Sequence, residues 1–154
     1  MGIAMTLKQY LDGQGVRYET MTHDKTSYSS LTAQASHIPG EYLAKGIVLR
    51  GDDGYVMAVI PASRHVDLDE VRHRLDQPVE LASEDELSQL FADCDVGAVP
   101  PVAKAYGLEA LVDEGLDAQP EIYFEAGDHR TLVHIDGQDF RELMKDVPHA
   151  RISC

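Results

Sequence analysis

The chain has no tryptophan, two cysteines (Cys94 and Cys154) and, from residue 76 to residue 126, one basic side chain, Lys104. Two thiols cannot form a disulfide framework, and a reducing cytoplasm is the economical compartment. No stretch approaches the roughly 20 apolar residues needed to span a bilayer. Met1 to Lys8 has no basic stretch followed by an apolar run, so neither a membrane role nor a signal peptide is expected. Several chemical signatures are also missing. There is no Gly-x-Gly-x-x-Gly, no Gly-x-x-x-x-Gly-Lys-Ser/Thr and no Gly-x-Ser-x-Gly, which removes the dinucleotide fold, the P-loop and the nucleophile elbow. No Cys-x-x-Cys occurs and no His-x-x-x-His lies on a helix. His129 and His134, five apart on a turn and strand, point to opposite faces, so no metal site is expected. Cys94 lies between Asp93 and Asp95, whose carboxylates raise a thiol pKa, and it reads as inert.

What is present fits one globular domain over residues 1–154, with 44% hydrophobic and 26% charged residues. The net charge is −14, from 27 acidic and 13 basic groups, which argues against non-specific duplex DNA binding. Residues 44–75 are balanced, with Lys45, Arg50, Arg64, Arg72 and Arg74 against five acids, whereas residues 76–126 hold 13 acids against Lys104. The acidic segment reads either as a solvated surface that aids solubility or as the contrast that leaves 44–75 open to an anionic ligand.

Leu7, Tyr10 and Leu11 share a face of a first helix over Thr6 to Gln14, stopped by Gly13 and Gly15. Val16 to Thr22 reads as extended and Ser30 to His37 as a short helix ended at Ile38-Pro39-Gly40. Gly46 to Arg50 and Tyr55 to Ile60 flank Gly51-Asp52-Asp53-Gly54 and predict a hairpin, central because both arms are apolar on both faces. Asp67 to Leu75 is a helix with acids first and arginines last. Val79 to Ala82 is a short strand, and Ser83 with Glu86 is a capping box opening the next helix. Asp93 to Ala103, with Gly97, Pro100 and Pro101, is a loop. Leu108 to Val112, Glu121 to Ala126 and Thr131 to Ile135 are strands, the last two joined by the tight turn Gly127-Asp128-His129-Arg130. Asp113 is placed to cap the turn over Glu114 to Asp117, and Asp136 caps a final helix. The pattern predicts an α+β domain with a mixed, largely antiparallel central sheet and surrounding helices.

Leu43-Ala44-Lys45-Gly46-Ile47-Val48-Leu49, followed by Tyr55 to Pro61, resembles the YbaK / prolyl-tRNA synthetase-associated editing-domain family. Gly97-Ala98-Val99-Pro100-Pro101 is similar to that family's Gly-x-x-x-Pro loop, Leu111-Val112-Asp113 to the strand after it, and Ala126-Gly127-Asp128-His129 to its glycine turn. The likeness runs from about Val16 to Leu143. One departure is Val102-Ala103, where many members carry Phe-Gly or a similar pair in a position that shapes the pocket, so the preferred amino acid is left open. The resemblance implies a cytoplasmic aminoacyl-tRNA deacylase that needs no metal or organic cofactor and acts on mischarged tRNA bearing a small amino acid, of the tRNA-Pro type. Its implied partners are the 3′ acceptor end of aminoacyl-tRNA and a synthetase. Its implied site places Lys45, Gly97 and His129 in catalysis and Pro101, Gly127 and Asp128 in substrate binding.

The residues suit that chemistry. A cation at Lys45, on an apolar strand, is costly unless it faces a cleft holding an anion or carbonyl; otherwise it is a surface lysine. Gly97 could offer backbone N–H groups to a developing oxyanion, or serve loop geometry alone. His129 could orient water or contact the terminal ribose, or be a solvated turn residue. No Ser or Cys nucleophile pairs with a base, so direct water attack is expected, without a covalent acyl-enzyme. The alternative is an inactive protein of the same fold that recognises a small ligand, the acceptor end or a synthetase. With so much acid, either contact with tRNA at the acceptor end alone, with a shallow salt dependence, or delivery by a partner is expected.

Overall fold

The computed structural model describes residues 2–23 and 37–154. The two apolar runs around Gly51-Asp52-Asp53-Gly54 form the expected hairpin, strands β2 (Leu43–Gly51) and β3 (Gly54–Pro61), in register from Ala44↔Pro61 to Gly51↔Gly54. Around it lie β1 (Glu19–Thr22), β4 (Glu80–Leu81), β5 (Glu109–Asp113), β6 (Glu121–Glu125), β7 (Thr131–Asp136) and β8 (His149–Ala150). They make one mixed sheet, ordered β1-β7-β6-β2-β3-β5-β8, with β4 paired to β2. Pairings β1/β7, β2/β3, β2/β4 and β6/β7 are antiparallel; β2/β6, β3/β5 and β5/β8 are parallel. The α-helices among the described residues are α1 (Met5–Gln14), α2 (Leu68–Leu75), α3 (Glu84–Leu90) and α4 (Gly137–Leu143). This is the α+β, mixed-sheet architecture that the sequence predicts. Among the described residues, no helix is long and apolar enough to cross a membrane.

The hairpin is central because it packs on both faces. Ala44, Val48, Met57 and Val59 join Phe124, Ile122 and Val133 under Leu7 and Leu11 of α1 and Phe140 of α4. The alternate residues Leu49, Val56, Ala58 and Ile60 face the other way, onto Val71 of α2 and Ile152. Strands buried on both sides must be apolar throughout, which is why both arms read as continuous hydrophobic runs.

The caps follow the sequence closely. Asp67 accepts from the Glu70 N–H at the start of α2, and Asp136 from the Gln138 N–H at the start of α4. Ser83 and Glu86 form the capping box of α3. The Ser83 backbone N–H, with the Tyr55 hydroxyl, holds the Glu86 carboxyl down at about 2. Helix α1 has no side-chain cap of its own; Asp93, far along the chain, accepts from the Thr6 N–H instead (2.9 Å).

Two differences from the sequence-based expectation are informative. The strand expected over Val79 to Ala82 shrinks to the two residues of β4, because only Glu80 and Leu81 stand in ladder register with β2. Strand β8 was not foreseen: it exists through pairing with Val112 and Asp113, and nothing local marks it. The short helix expected over Ser30 to His37 lies outside the described residues save for His37, which sits in a turn with φ 56°.

Asp113 fastens the C-terminal tail to this sheet. Its Oδ2 accepts from the Gly115 N–H (2.9 Å), as expected of a turn cap, and its Oδ1 accepts from the buried Ile152 N–H (2.9 Å). Replacing Asp113 with Ala strands both donors, and each buried orphan costs about 1–3 kcal/mol. Urea titration of Asp113→Ala is expected to show a loss of about 2–4 kcal/mol, with faster amide exchange at Ile152. Unchanged stability would mean that the tail is not held through this carboxylate.

Candidate active site

The site begins with a gap in the sheet. Strand β2 pairs with β3 along its whole length, but its other edge meets β6 only at Leu43 and Ala44, and β4 only at Leu49 and Arg50. Among the described residues no strand covers the stretch between. The Ala62 N–H donates to the Leu43 carbonyl on the β3 side (2.8 Å), and the Ala82 N–H donates to the Val48 carbonyl on the far side (3.0 Å). Peptide groups alternate between the two edges of an antiparallel strand, so the N–H and C=O of Gly46 face the gap.

The gap opens into a cleft of about 340 Å³. One wall is β2 from Lys45 to Val48. The second is Leu81, Ala82, Glu84 and Leu87, from β4 and α3. The third is Val96, Gly97 and Val99, from the loop after Phe91. Lys45 and Gly97, expected to act together, therefore face the same space. The Lys45 side chain is half-buried, and burial alone pushes its ammonium below the ordinary lysine range. Among the described residues no carboxylate pairs with it. At Gly46 a Cβ would stand 2.8 Å from Sδ of Met57, whose side chain is fully buried. The glycine thus admits the Met57 side chain against β2 and leaves its own peptide open to the cleft.

Gly97 has φ 88°, a backbone that favours glycine. Its loop is held from behind by the turn after β6. The Asp95 N–H donates to the Gly127 carbonyl (2.7 Å). The ring of His129, itself buried and at φ 61°, donates from Nε2 to the Val96 carbonyl. A carbonyl only accepts, so Nε2 carries the proton; Nδ1 is buried and has no partner among the described residues. The peptide between Val96 and Gly97 is trans, so fixing its C=O towards His129 turns the Gly97 N–H the opposite way. Among the described residues nothing accepts from that N–H.

Gly127, Asp128 and His129 are not among the described residues that line the cleft; they lie behind it. Asp128 organises its own turn, accepting from the N–H groups of Arg130 (2.9 Å), Thr131 (2.7 Å) and Gly2 (3.1 Å) and from the Thr131 hydroxyl (3.0 Å). Partial burial pushes its carboxyl up, and these bonds outweigh that and leave it below the usual range. Pro101 is buried away from the cleft. Val102 and Ala103 belong to the main core, so this departure from the family pattern packs into the protein and away from the cleft.

A second fastening holds the start of the loop. The Tyr106 hydroxyl donates to Asp93 Oδ1 (2.9 Å), and Cys94 Sγ lies 3.2 Å from the same hydroxyl. Burial pushes the Cys94 thiol up to about 12; the Tyr106 hydroxyl opposes the shift, and the carboxylates of Asp93 and Asp95 add to it. His23 and Glu125 form a further buried pair (3.9 Å) beside the β6–β7 turn. Among the described residues, no group of three or more His, Cys, Asp or Glu side chains is gathered to hold a metal ion.

Sequence reasoning missed most of the walls. Leu81, Leu87, Val96 and Val99 carry no chemical signature, and their convergence is a matter of tertiary packing. Gly46 did leave a signal: a glycine inside a strand pattern often marks a close approach of another backbone or a ligand.

The aminoacyl-tRNA editing domain family model matches residues 23–143. No curated protein matches. Among solved structures, one proposed as a trans-editing enzyme for prolyl-tRNA synthetase superposes with a TM-score of 0.85 at 21% identity, covering 98% of this chain and 96% of that one. A protein described only as hypothetical gives 0.84 at 20% identity, covering 97% and 99%. A candidate signal-transduction protein from Marinobacter aquaeolei VT8 gives 0.75 at 19% identity; there the match covers 96% of this chain and 30% of the larger one. At such identities these likenesses concern the fold.

The thiols provide a check on the loop fastening. With its pKa near 12, Cys94 is expected to resist iodoacetamide at pH 8, while the exposed Cys154 is alkylated. Peptide mapping that finds Cys94 labelled as fast as Cys154 would contradict the packed arrangement around Tyr106.

Proposed function

The chain belongs to the aminoacyl-tRNA editing domain family, and we propose on that footing that it is a trans-acting deacylase, hydrolysing the ester of mischarged tRNA that bears a small amino acid, with tRNA-Pro-type editing as its setting. The observation that carries this reading is that Lys45, Gly46 and Gly97 line one cleft, with the Gly97 N–H turned away from His129. An ester undergoing hydrolysis needs its carbonyl polarised, its oxyanion received and a water placed. A half-buried ammonium and two peptide groups supply the first two without a nucleophilic side chain. The attacking water is positioned by the backbone or by the substrate, and no acyl-enzyme forms. The reaction needs no resident metal or organic cofactor in this scheme, since Lys45 and the N–H groups stabilise the developing charge.

His129 takes a positioning role. By holding the Val96 carbonyl it keeps the Gly97 N–H aimed at the ester, and Gly127 and Asp128 hold His129 and the loop in place. The apolar walls confine the amino-acid side chain. A pocket of this kind excludes larger groups by volume, whereas one methylene is worth only about 1–3 kcal/mol in binding. We place the protein in the cytoplasm, meeting only the 3′ acceptor end of aminoacyl-tRNA, with a synthetase supplying further affinity for the tRNA. DNA and membranes are not among its partners.

A panel of tRNA-Pro mischarged with Ala, Cys, Ser or Thr tests this reading. Turnover is expected on at least one member and unchanged by EDTA. Removing one preorganised electrostatic contact lowers kcat by about 10²–10³-fold, and Lys45→Ala is expected to show a loss of that order. No turnover on any member would favour the inactive, ligand-recognising alternative. His129→Ala is expected to lower kcat by about tenfold or more with KM little changed, because it displaces an oxyanion donor. A pure KM effect would place His129 in substrate binding instead.

A further inference from the structure

We propose that Glu84 receives the α-ammonium of the substrate's amino acid, so that the cleft selects esters of free amino acids over N-acylated ones. This rests on the deacylase reading and adds a specificity residue to it. Among the described residues lining the cleft, Lys45 and Glu84 are the only charged ones. They have opposite signs, stand on different walls and are not within ion-pair distance of each other, since no salt bridge joins them. An aminoacyl ester carries the complementary pattern, with a carbonyl that develops negative charge and an ammonium one carbon away. A substrate whose carbonyl meets Lys45 and the Gly97 N–H must place its ammonium elsewhere in the same 340 Å³, and Glu84 is the anion available there.

Of the neighbouring acids, Asp85 does not line the cleft, and Glu86 and Glu80 are committed to the protein. Glu86 caps α3 through the Ser83 N–H (2.9 Å) and binds Arg50 (3.1 Å) and the Tyr55 hydroxyl. Glu80 pairs with Arg50 across β2 and β4. Glu84 has no ion pair and no side-chain hydrogen bond among the described residues, and its side chain is exposed at the cleft. An unpaired carboxylate there repels tRNA phosphates, so a site built only to hold the polyanion gains nothing from it. It attracts an ammonium, and the surrounding acids of residues 76–126 strengthen that preference.

The test compares alanyl-tRNA with N-acetyl-alanyl-tRNA, each with wild type, Glu84→Gln and Glu84→Lys. It adds a binding titration with a non-hydrolysable 3′-alanylamido-adenosine and its N-acetyl form, followed by NMR shifts at Gly46 and Gly97. Wild type is expected to prefer the free amine. Glu84→Gln should weaken the free-amine ligand by about five- to tenfold, the effect of one charge-assisted contact at an accessible site. It should leave the acetylated ligand within about twofold, and Glu84→Lys should reverse the preference. A folding defect would weaken both ligands together, and far-ultraviolet circular dichroism of each variant reports it directly. If wild type hydrolyses alanyl-tRNA but both variants keep its preference, the role of Glu84 is overturned and the deacylase reading stands. If no member of the Ala, Cys, Ser and Thr panel is hydrolysed but the free-amine analogue binds in a Glu84-dependent way, the role of Glu84 stands and the deacylase reading falls. Absence of both turnover on that panel and amine-dependent binding overturns both.

Discussion

The site depends on an interruption in hydrogen bonding along one edge of β2. Strands β6 and β4 take the two ends of that edge and leave it uncovered between Lys45 and Ile47, whose strand partners among the described residues all lie on the β3 side. Had the β6 pairing run two residues further along β2, or the β4 pairing three, the Gly46 peptide would have been absorbed into the ladder and the cleft closed. Unpaired backbone groups retain a strong demand for a partner. A sheet normally hides such an edge or covers it, whereas here it forms one wall of a cleft. Lys45 then gains its half-buried setting because the strand that carries it is central on one side and open on the other.

The opposite wall is held by parts of the chain remote in sequence. The loop that carries Gly97 has little internal structure, yet it is tied at Asp95 and Val96 to the turn after β6 and at Asp93 to the first turn of α1. His129 adopts a left-handed backbone to make its bond, and such a conformation costs a non-glycine residue of order 1–3 kcal/mol. The cost is offset because the surrounding turn is fastened at Gly127 and Asp128. The family's loop, glycine turn and lysine strand thus form one mechanical unit, in which a change at the turn is felt at the Gly97 peptide.

The uneven charge acquires a location in this arrangement. The balanced segment 44–75 supplies the wall that carries Lys45, and the acid-rich segment 76–126 supplies the other two. Much of the acid in 76–126 has structural employment: Glu86 in a capping box, Asp93 at the start of α1, Asp113 at the tail. A cleft with such walls suits a small group bearing both an ammonium and a carbonyl better than a long polyanion, which fits contact limited to the end of a tRNA.

Much of the fold was legible in the residues. The hairpin, the Ser83–Glu86 box, the caps at Asp67 and Asp136 and the turn at Asp113 all lie where the sequence predicts them. A cleft shared by Lys45 and Gly97 was expected from the family resemblance alone; from the residues, Lys45 read equally as a surface lysine at a strand start. The part played by His129 was not legible, because a histidine in a tight turn gives no sign of which carbonyl its ring will reach. Neither was β8, which is a strand only because β5 lies beside it. By itself the sequence determined what depends on neighbours within a few residues: alternation of apolar side chains, capping and turn chemistry, each set by short-range sterics and hydrogen bonding. Only the tertiary structure decided which peptide groups on β2 go unpaired and which distant side chains close around them. Those outcomes depend on how far each strand runs along its partner, and that length is set by packing among segments brought together from residues 43 to 129.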